Sequence, residues 1–279
     1  MSQMQKQLLS AALFLALAAP LEAAPREAAP AAGTAEQSLT QILAAPHRSA
    51  ANRARDSWRH PAETLRFFGV QPGMTIVEVL PGAGWYTEIL APFIGSRGKI
   101  YAAHYAPTSP NAIKAVENYR AKLAADPALY GNVTVTALGK GYSDIAPEAS
   151  ADMVLTFRNI HNMYMGDWAA EGFAAFYRAL KPGGVLGIVE HRLPEARADS
   201  DMEKSGYMKT STVRALAEAA GFRFVGQSEI NANPRDTADH PGGVWSLPPT
   251  LRGGDSERAK YEAIGESDRM TLKFIKPAS

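Results

Sequence analysis

Short apolar runs alternate with segments of helical periodicity along the chain from residue 75 onward. The runs that we interpret as strands are Thr75–Leu80, Lys99–His104, Val133–Ala137, Met153–Phe157, Val185–Glu190, Phe222–Ser228 and Met270–Ile275. The segments that we interpret as helices are Trp85–Ile94, Asn111–Ala124, Trp168–Leu180 and Thr212–Ala220. Strands that alternate with helices lie mostly parallel, because each helix carries the chain back across the sheet. We therefore predict an α/β fold with a mostly parallel seven-stranded sheet and helices on both faces.

The N-terminal segment differs in composition from the rest of the chain. Lys6 precedes an apolar run from Leu8 to Leu21, and small residues follow it. The run is shorter than the about 20 residues of a membrane-spanning helix and is typical of a secretory signal. We expect residues 1–23 to be a signal peptide and residues 24–48, rich in Ala and Pro, to be a flexible linker. The mature protein would then be periplasmic or secreted, with no stable membrane span; a buried N-terminal helix is the alternative.

The charge balance and the lack of cysteine exclude several classes of protein. The chain has 279 residues, with 29 basic and 28 acidic side chains and a net charge of +1. This balance does not indicate a nucleic-acid partner, which usually requires a basic face. Without cysteine there is no disulfide scaffold, thiolate metal site or cysteine nucleophile. The sequence does not indicate an oligomeric state.

The C-terminal part of the chain contains a long segment without helix or strand periodicity. We place one domain at residues 49–279 and a loop insertion at about 229–268, rich in Gly, Pro and Asn. A loop of this length in a compact domain is usually functional, for example as a lid.

A glycine turn follows the first predicted strand, in the stretch EVLPGAGW at residues 78–85. Gly82 and Gly84 carry no Cβ and permit a ligand to approach the backbone. Backbone N–H groups at the start of the following helix can face a carboxylate or a phosphate. A tight turn without a ligand explains the same glycines equally well, so this motif alone decides little.

Three segments resemble class I S-adenosylmethionine-dependent methyltransferases: VEVLPGAGWYTEIL, ADMVLTFRNIHNMY and ALKPGGVLGIVEH. The region from about residue 50 is most similar to a bacterial group of exported predicted methyltransferases, through PAETLRFFGVQPGM, GWYTEILAPFIG and IGESDRMTLKFIKP. The resemblance implies a three-layer Rossmann-like methyltransferase fold with S-adenosylmethionine as the cofactor. It also implies that the Glu78 carboxylate contacts the amino group of the cofactor's methionine part, since a carboxylate suits an ammonium partner.

The resemblance assigns further positions to the cofactor, with three departures from the family pattern. The expected cofactor-binding residues are Glu78, Pro81, Gly82, Ala83, Gly84, His104, Tyr105, Asp144, Arg158 and Asn159. Leu80 stands where the family has its first glycine. His104 replaces the acidic residue that would hold the ribose hydroxyls, and Asp144 is the one acidic residue near the adenine position.

Two histidines lie at the ends of neighbouring predicted strands. His161 and His191 follow strands four and five, and we expect them to share the mouth of the pocket as catalytic residues. A histidine there can deprotonate a methyl acceptor near neutral pH; hydrogen bonding behind the site is the alternative role. Glu190 and His191 are adjacent in a strand and should point to opposite faces. We therefore predict no metal site.

Two charged groups near the chain ends have two possible roles. Arg55, Asp56 and Arg59 either close over the site or form a solvated helix face, the more common case. The group Glu266–Arg269 either pairs with this N-terminal segment or reaches the substrate.

Together these observations predict an exported S-adenosylmethionine-dependent methyltransferase acting on a small molecule. The alternative is a non-catalytic periplasmic ligand-binding protein on a methyltransferase scaffold. A nicotinamide-dependent oxidoreductase is disfavoured, because the chain lacks the G-x-G-x-x-G fingerprint and an acidic residue after the second strand.

Overall fold

The computed structural model describes residues 39–278, with the side chain of residue 255 left out. The expected signal peptide and the first part of the expected linker lie outside these residues. The linker prediction is wrong from residue 39 on. Residues 39–44 are helical, Leu39 is buried and Arg48 is fully buried. The Arg48 guanidinium donates to both carboxylate oxygens of Asp56, at 2.6 and 2.8 Å, so this segment is packed onto the domain.

The sheet confirms the predicted fold class. Its strands are β1 (Thr75–Val79), β2 (Lys99–Tyr105), β3 (Val133–Leu138), β4 (Ala151–Phe157), β5 (Leu180–Leu193), β6 (Met208–Lys209), β7 (Arg223–Ser228) and β8 (Arg269–Ile275). Seven of them form one path in the order β3-β2-β1-β4-β5-β8-β7, and the two-residue β6 pairs with β5 outside this path. The short β6 is the difference from the predicted seven strands. Pairing is parallel except that β8 lies antiparallel between β5 and β7.

Helices cover both faces of this sheet. Their bounds are α1 (Ala50–Arg53), α2 (Asp56–Arg59), α3 (Pro61–Phe68), α4 (Thr87–Ile94), α5 (Pro110–Ala125), α6 (Pro127–Tyr130), α7 (Ile160–Met165), α8 (Ala169–Ala179), α9 (Met202–Ser205), α10 (Thr210–Ala219) and α11 (Arg258–Ile264). The α3 helix begins at Pro61, whose fixed φ suits a first helical position, and ends before Gly69 in the left-handed conformation. No helix among these is long and apolar enough to cross a membrane.

Two apolar clusters lie on opposite faces of the sheet. One contains Phe173 and Phe176 from α8 with Leu186 from β5. The other contains Phe68 from α3 and Ile89 from α4. Each face of a central sheet must bury its apolar side chains, and the two clusters therefore produce the three-layer arrangement that the strand–helix alternation predicts.

The segment 229–268 is more ordered than its sequence predicts. It includes α11 and a 3-10 turn at Gly243–Ser246. Buried side chains anchor it: Asn231 Nδ2 donates to Thr271 Oγ1 at 2.9 Å, and Asn233 Nδ2 donates to the Glu266 carbonyl at 2.7 Å. These bonds replace the periodic apolar pattern that usually marks a packed segment, so periodicity alone could not show that it is fixed.

Candidate functional site

A cavity of about 450 Å³ opens at the carboxyl ends of β1, β4 and β5. Its walls include these predicted site residues: Glu78, Pro81, Gly82, Ala83, Tyr105, Arg158, Asn159, His161 and His191. This is the edge at which open α/β sheets bind ligands, since the turns after parallel strands meet there. The structure thus brings together both predicted catalytic histidines and most of the predicted cofactor residues.

The turn after β1 keeps the backbone shape of a glycine turn although its first position is Leu80. Leu80 has a φ of 45°, a left-handed conformation that costs a leucine on the order of 1–3 kcal/mol. Its side chain is 6% exposed and packs into the apolar cluster with Leu138 and Ile160, which holds it in place. Gly82 has a φ of 59°, and a Cβ there would meet no atom within 4 Å. The departure at position 80 therefore leaves the backbone of Gly82 open to the cavity.

Gly84 has a different role from the one predicted. A Cβ at Gly84 would lie 3.0 Å from the Tyr119 ring and 3.2 Å from Thr87 Oγ1. This glycine permits close packing of α4 and α5 behind the turn, and it does not line the cavity.

Glu78 is a buried carboxylate on the wall of the cavity. It is 2% exposed, and Thr87 Oγ1 donates to its Oε2 at 2.7 Å. Burial raises the pKa of Glu78 to about 7, an effect that the Thr87 hydrogen bond and the Lys122 charge only partly oppose. A cationic ligand would favour the ionised form, so the site is suited to an ammonium group.

His104 does not face a ligand, and its predicted contact with the ribose hydroxyls is wrong. The side chain is fully buried. Its Nδ1 accepts from the Tyr105 backbone N–H at 2.8 Å, and its Nε2 lies 2.9 Å from the Gly82 carbonyl oxygen. Both ring nitrogens are thus engaged inside the protein, and His104 braces the glycine turn.

A second cavity, of about 650 Å³, lies beyond Leu80, Tyr105 and Asn162, three residues that line both cavities. Further residues of its wall are Ala106, Leu138, Gly139, Lys140 and Trp168. The predicted contact of Asp144 with the adenine part is wrong, because its side chain is fully exposed and lies 3.5 Å from Arg178. It lines neither cavity.

Arg158 and Asn159 directly follow β4 and line the cavity. Asn159 Nδ2 donates to the Val79 carbonyl at 3.0 Å, which ties the ends of β1 and β4 together. Arg158 has a φ of 65° and lines the cavity, and no described residue forms a hydrogen bond or an ion pair with its side chain. Burial, with the charges of Arg269 and Arg55, lowers the pKa of Arg158 to about 10, although Glu266 opposes this.

His161, Glu190 and His191 form a buried cluster, contrary to the expectation that Glu190 and His191 diverge. One ligand atom of each residue lies within 4.8 Å of the others. Glu190 Oε1 lies 2.9 Å from His161 Nδ1, and Glu190 Oε2 accepts from the Ile160 backbone N–H. Although Glu190 and His191 are adjacent in β5, the Glu190 carboxylate extends past the strand to the start of α7, where its two oxygens meet His161 and the Ile160 backbone. The alternation of side chains along a strand could not predict the contact between Glu190 and His161. The presence of a charged residue, Glu190, at the end of an apolar strand was the one signal in the sequence.

The cluster is better suited to moving a proton than to holding a cation. The Glu190 carboxylate accepts from backbone N–H groups, so His161 Nδ1–H donates to it and leaves Nε2 as the acceptor nitrogen. His191 Nδ1 lies 2.5 Å from Ser267 Oγ. Burial, His161 and the charges of Arg158 and Arg269 hold the pKa of His191 well below its usual value. The same guanidinium charges oppose a divalent metal ion.

Arg55 and Arg59 close over the site, so the expectation of a solvated helix face is wrong for them. Both line the cavity and donate to the buried carboxylate of Glu266, with Nε–Oε distances of 2.9 Å from Arg55 and 3.0 Å from Arg59. Asp56 pairs with Arg48 instead. The group before β8 thus pairs with the N-terminal segment, and Arg269 Nη1 also donates to Glu266 at 3.2 Å.

The long segment 229–268 forms another wall of the cavity. Its contributions are Val244, Trp245, Pro248, Pro249 and Thr250. The Trp245 ring lies 6.1 Å from the His161 ring. The length of the segment indicated a functional loop, but no sequence signal indicated which of its residues face the site.

Comparison with known proteins supports the fold and not a particular reaction. No family model matches the chain, and no curated protein matches its sequence. A SAM dependent methyltransferase from Aquifex aeolicus is 19% identical with a TM-score of 0.54, and the match covers 85% of this chain and 98% of the other. The cyclase SpnF is 18% identical with a TM-score of 0.59, over 86% of this chain and 93% of the other. A putative sarcosine dimethylglycine methyltransferase from Galdieria sulphuraria is 15% identical with a TM-score of 0.57, over 83% and 88%.

These similarities show that the chain has the class I methyltransferase fold. A fold by itself does not determine a reaction. The function must therefore be argued from the cavity.

The burial of Glu78 predicts a specific pH dependence of stability. Its pKa rises from 4.5 in the unfolded chain to about 7 in the folded protein, so its stabilising effect is present below pH 4.5 and is lost as the pH rises through about 7. The shift corresponds to roughly 3 kcal/mol. We expect Glu78→Gln, which stays neutral, to unfold at higher urea concentration than the wild type near pH 8 and at a similar concentration near pH 4. Glu148→Gln, at an exposed position, serves as the control. If both variants change the pH dependence of unfolding equally, this would contradict a raised pKa of the buried Glu78 carboxyl group.

Proposed function

We propose that this chain is an S-adenosylmethionine-dependent methyltransferase that acts on a small molecule. The single observation that carries the proposal is the position of Glu78. A buried carboxylate with a raised pKa lies at the end of β1, on a cavity that the open backbone of Gly82 also lines. The methyltransferase fold and the similarity to a SAM dependent methyltransferase support this reading.

The described residues fit the three parts of such a cofactor. Glu78 would hold the ammonium group of its methionine part, which would also restore the ordinary ionisation of the carboxylate. Tyr105 and Leu80 lie between the two cavities and would hold the ribose by contact. The mostly uncharged walls of the second cavity, including Leu138 and Trp168, would take the adenine.

When bound, the cofactor would supply an electrophilic methyl group on a sulfonium sulfur. His161 would accept a proton from the methyl acceptor at Nε2, because Nδ1 is held by Glu190. The Glu190 carboxylate would stabilise the resulting imidazolium. His191, which stays neutral, would keep its hydrogen bond to Ser267 and complete the wall beside His161. Trp245 and Pro248 would exclude water from the reacting groups.

A ligand-binding protein on the same scaffold is the second candidate. It is favoured by the two corrected positions: His104 is occupied internally, and Asp144 is exposed. No acidic residue is therefore among the walls of the second cavity to hold the ribose hydroxyls or the adenine amino group. The likeness to the cyclase SpnF also shows that this fold is not restricted to proteins that are named methyltransferases.

Binding of S-adenosylhomocysteine tests the cofactor site. We expect Gly82→Asp to weaken binding by at least about tenfold in calorimetry, because a carboxylate would fill the open space beside the backbone of the turn. Asp tolerates a positive φ better than most residues, so the variant should still fold. Gly73→Asp is the matched control, since Gly73 also has a positive φ and open space around its Cβ position but lies outside the cavity.

If the wild-type protein does not bind S-adenosylhomocysteine at millimolar concentration, the methyltransferase proposal is refuted and the ligand-binding protein is favoured. Equal losses in the two glycine variants would show that the effect comes from the fold and not from the site.

Transfer of labelled methyl groups tests the role of His161. With S-adenosylmethionine and a bacterial small-molecule extract, we expect the wild type to label a small molecule and His161→Asn to be slower by about 100-fold or more. Binding of S-adenosylhomocysteine should remain within about twofold, since His161 is assigned to the acceptor. His60→Asn is the control, because His60 has a φ of 39° that Asn tolerates and does not line the cavity. Equal rates for His161→Asn and wild type would contradict a base at this position.

We also propose that the protein is exported to the periplasm. The support is the apolar run from Leu8 to Leu21 after Lys6 and the small residues that follow it. Cells that produce the full chain should release a shortened protein on osmotic shock, whereas a chain without residues 1–23 should stay with the cytoplasmic fraction. Retention of the full chain in the cytoplasm would refute export.

A further inference from the structure

Arginines from three separate parts of the chain meet beside the first cavity, and Arg55, Arg59 and Arg158 line it. Arg55 and Arg59 come from the N-terminal helices, Arg158 from the end of β4 and Arg269 from the start of β8. We call these four residues the guanidinium cluster. Within residues 39–278, Glu266 is the only carboxylate that hydrogen-bonds to it.

The guanidinium cluster carries more positive charge than its surroundings balance. Although burial raises the pKa of Glu266, the charges of Arg59, Arg269 and Arg158 bring it down to about 2, so it is a full anion. Burial and Arg158 lower the pKa of Arg59 to about 9, which still leaves it protonated at neutral pH. A single anion among four cations leaves a buried surplus of positive charge, which is costly unless a further anion binds.

Hydrogen-bond donors of the guanidinium cluster are also left without partners. Arg59 is only 2% exposed and its Nη2 has no acceptor, and Arg55 Nη2 is likewise buried and unpaired. The Arg158 side chain forms no hydrogen bond with any described residue. All three line the cavity. A buried donor without an acceptor costs about 1–3 kcal/mol, so its presence at a cavity wall indicates a ligand that supplies the acceptor.

The cluster is held in place before any ligand binds. The Arg59 guanidinium lies 4.8 Å from the centre of the Trp85 ring, a cation–π contact that fixes its plane. Arg158 lies in a left-handed backbone conformation, with a φ of 65°, directly after β4. A strained residue whose side chain has no hydrogen bond or ion pair within residues 39–278 is typical of a ligand clamp.

We propose that the guanidinium cluster is the subsite for an anionic group, a carboxylate, phosphate or sulfate, of the small molecule that this protein methylates. The inference rests on the proposed function and narrows its substrate class to anionic acceptors. His161 lines the same cavity, so an anchored anion would hold the acceptor beside the base. A neutral acceptor would leave the buried donors unpaired and would be rejected on that ground.

The cofactor's own methionine part also carries a carboxylate, which is the other anion that the guanidinium cluster could bind. It has a single negative charge and would leave much of the surplus unbalanced. Glu78, at which the ammonium of that part would bind, forms no ion pair or hydrogen bond with the cluster. We therefore assign the cluster to the acceptor, and the experiment separates the two sources.

Inorganic sulfate is the probe for the free protein, with sodium chloride at the same ionic strength as the reference. We expect sulfate to raise the Tm of the wild type by roughly 2–4 °C in a saturable manner. Arg158→Met should lose more than half of this rise while unfolding in chloride at or above the wild-type Tm, because burial and the neighbouring arginines disfavour the Arg158 charge more than Glu266 stabilises it. The control Arg223→Met removes an exposed arginine of β7 and should keep the full response. If Arg158→Met does not fold, the titration uses Arg158→Lys instead. In the variant that is measured, a sulfate-induced rise in Tm equal to that of the wild type would overturn the proposal.

Repeating the titration with saturating S-adenosylhomocysteine decides the source of the anion. A sulfate-induced rise in Tm that remains when S-adenosylhomocysteine is saturating supports an acceptor subsite. Sulfate that competes with S-adenosylhomocysteine overturns the proposal, since the cluster would then hold the cofactor's carboxylate. A wild-type sulfate response without any binding of S-adenosylhomocysteine would refute the methyltransferase function and leave an anion-binding site, so the two failures are distinguishable. No sulfate response in the wild type overturns the subsite itself.

Discussion

The buried carboxylate of Glu266 joins the two ends of the domain above the sheet. It accepts from Arg55 and Arg59 of the N-terminal helices and from Arg269 at the start of β8. These contacts place the N-terminal helices over the carboxyl ends of the strands, where they form one side of the cavity. One anion suffices to orient several arginines, but it does not balance them. The same interaction that closes the cavity therefore leaves it with a surplus of positive charge.

The cavity has opposite charges on different walls. Glu78 provides a carboxylate at the end of β1, and the guanidinium cluster provides cations at the N-terminal helices and at Arg158. Two ligands, one with a cationic group and one with an anionic group, fit this arrangement. The low dielectric constant inside a cavity strengthens both attractions. His161, whose Nδ1 lies 2.9 Å from Glu190 Oε1, lies on the same cavity.

The departures from the family pattern show how positions can change role without changing the fold. Leu80 adopts the conformation that a glycine would favour, because its side chain is fixed in the apolar cluster. His104 supports the glycine turn from behind instead of contacting a ligand. The shape of the turn is thus retained by packing and hydrogen bonding.

The order of strands and helices could be predicted almost completely, because the periodicity of apolar residues is local and each strand extends only a few residues. The resemblance also located the turn at Gly82 and the histidines at the strand ends. The partners of these residues could not be predicted, since Arg55 and Glu266 are 211 positions apart and nothing in a one-dimensional pattern relates them. The convergence of Glu190 with His161 was missed for a similar reason, because strand alternation gives the starting direction of a side chain and not the reach of its end. Local sequence thus determined the scaffold, whereas the charges that meet in the cavity were decided by tertiary packing alone.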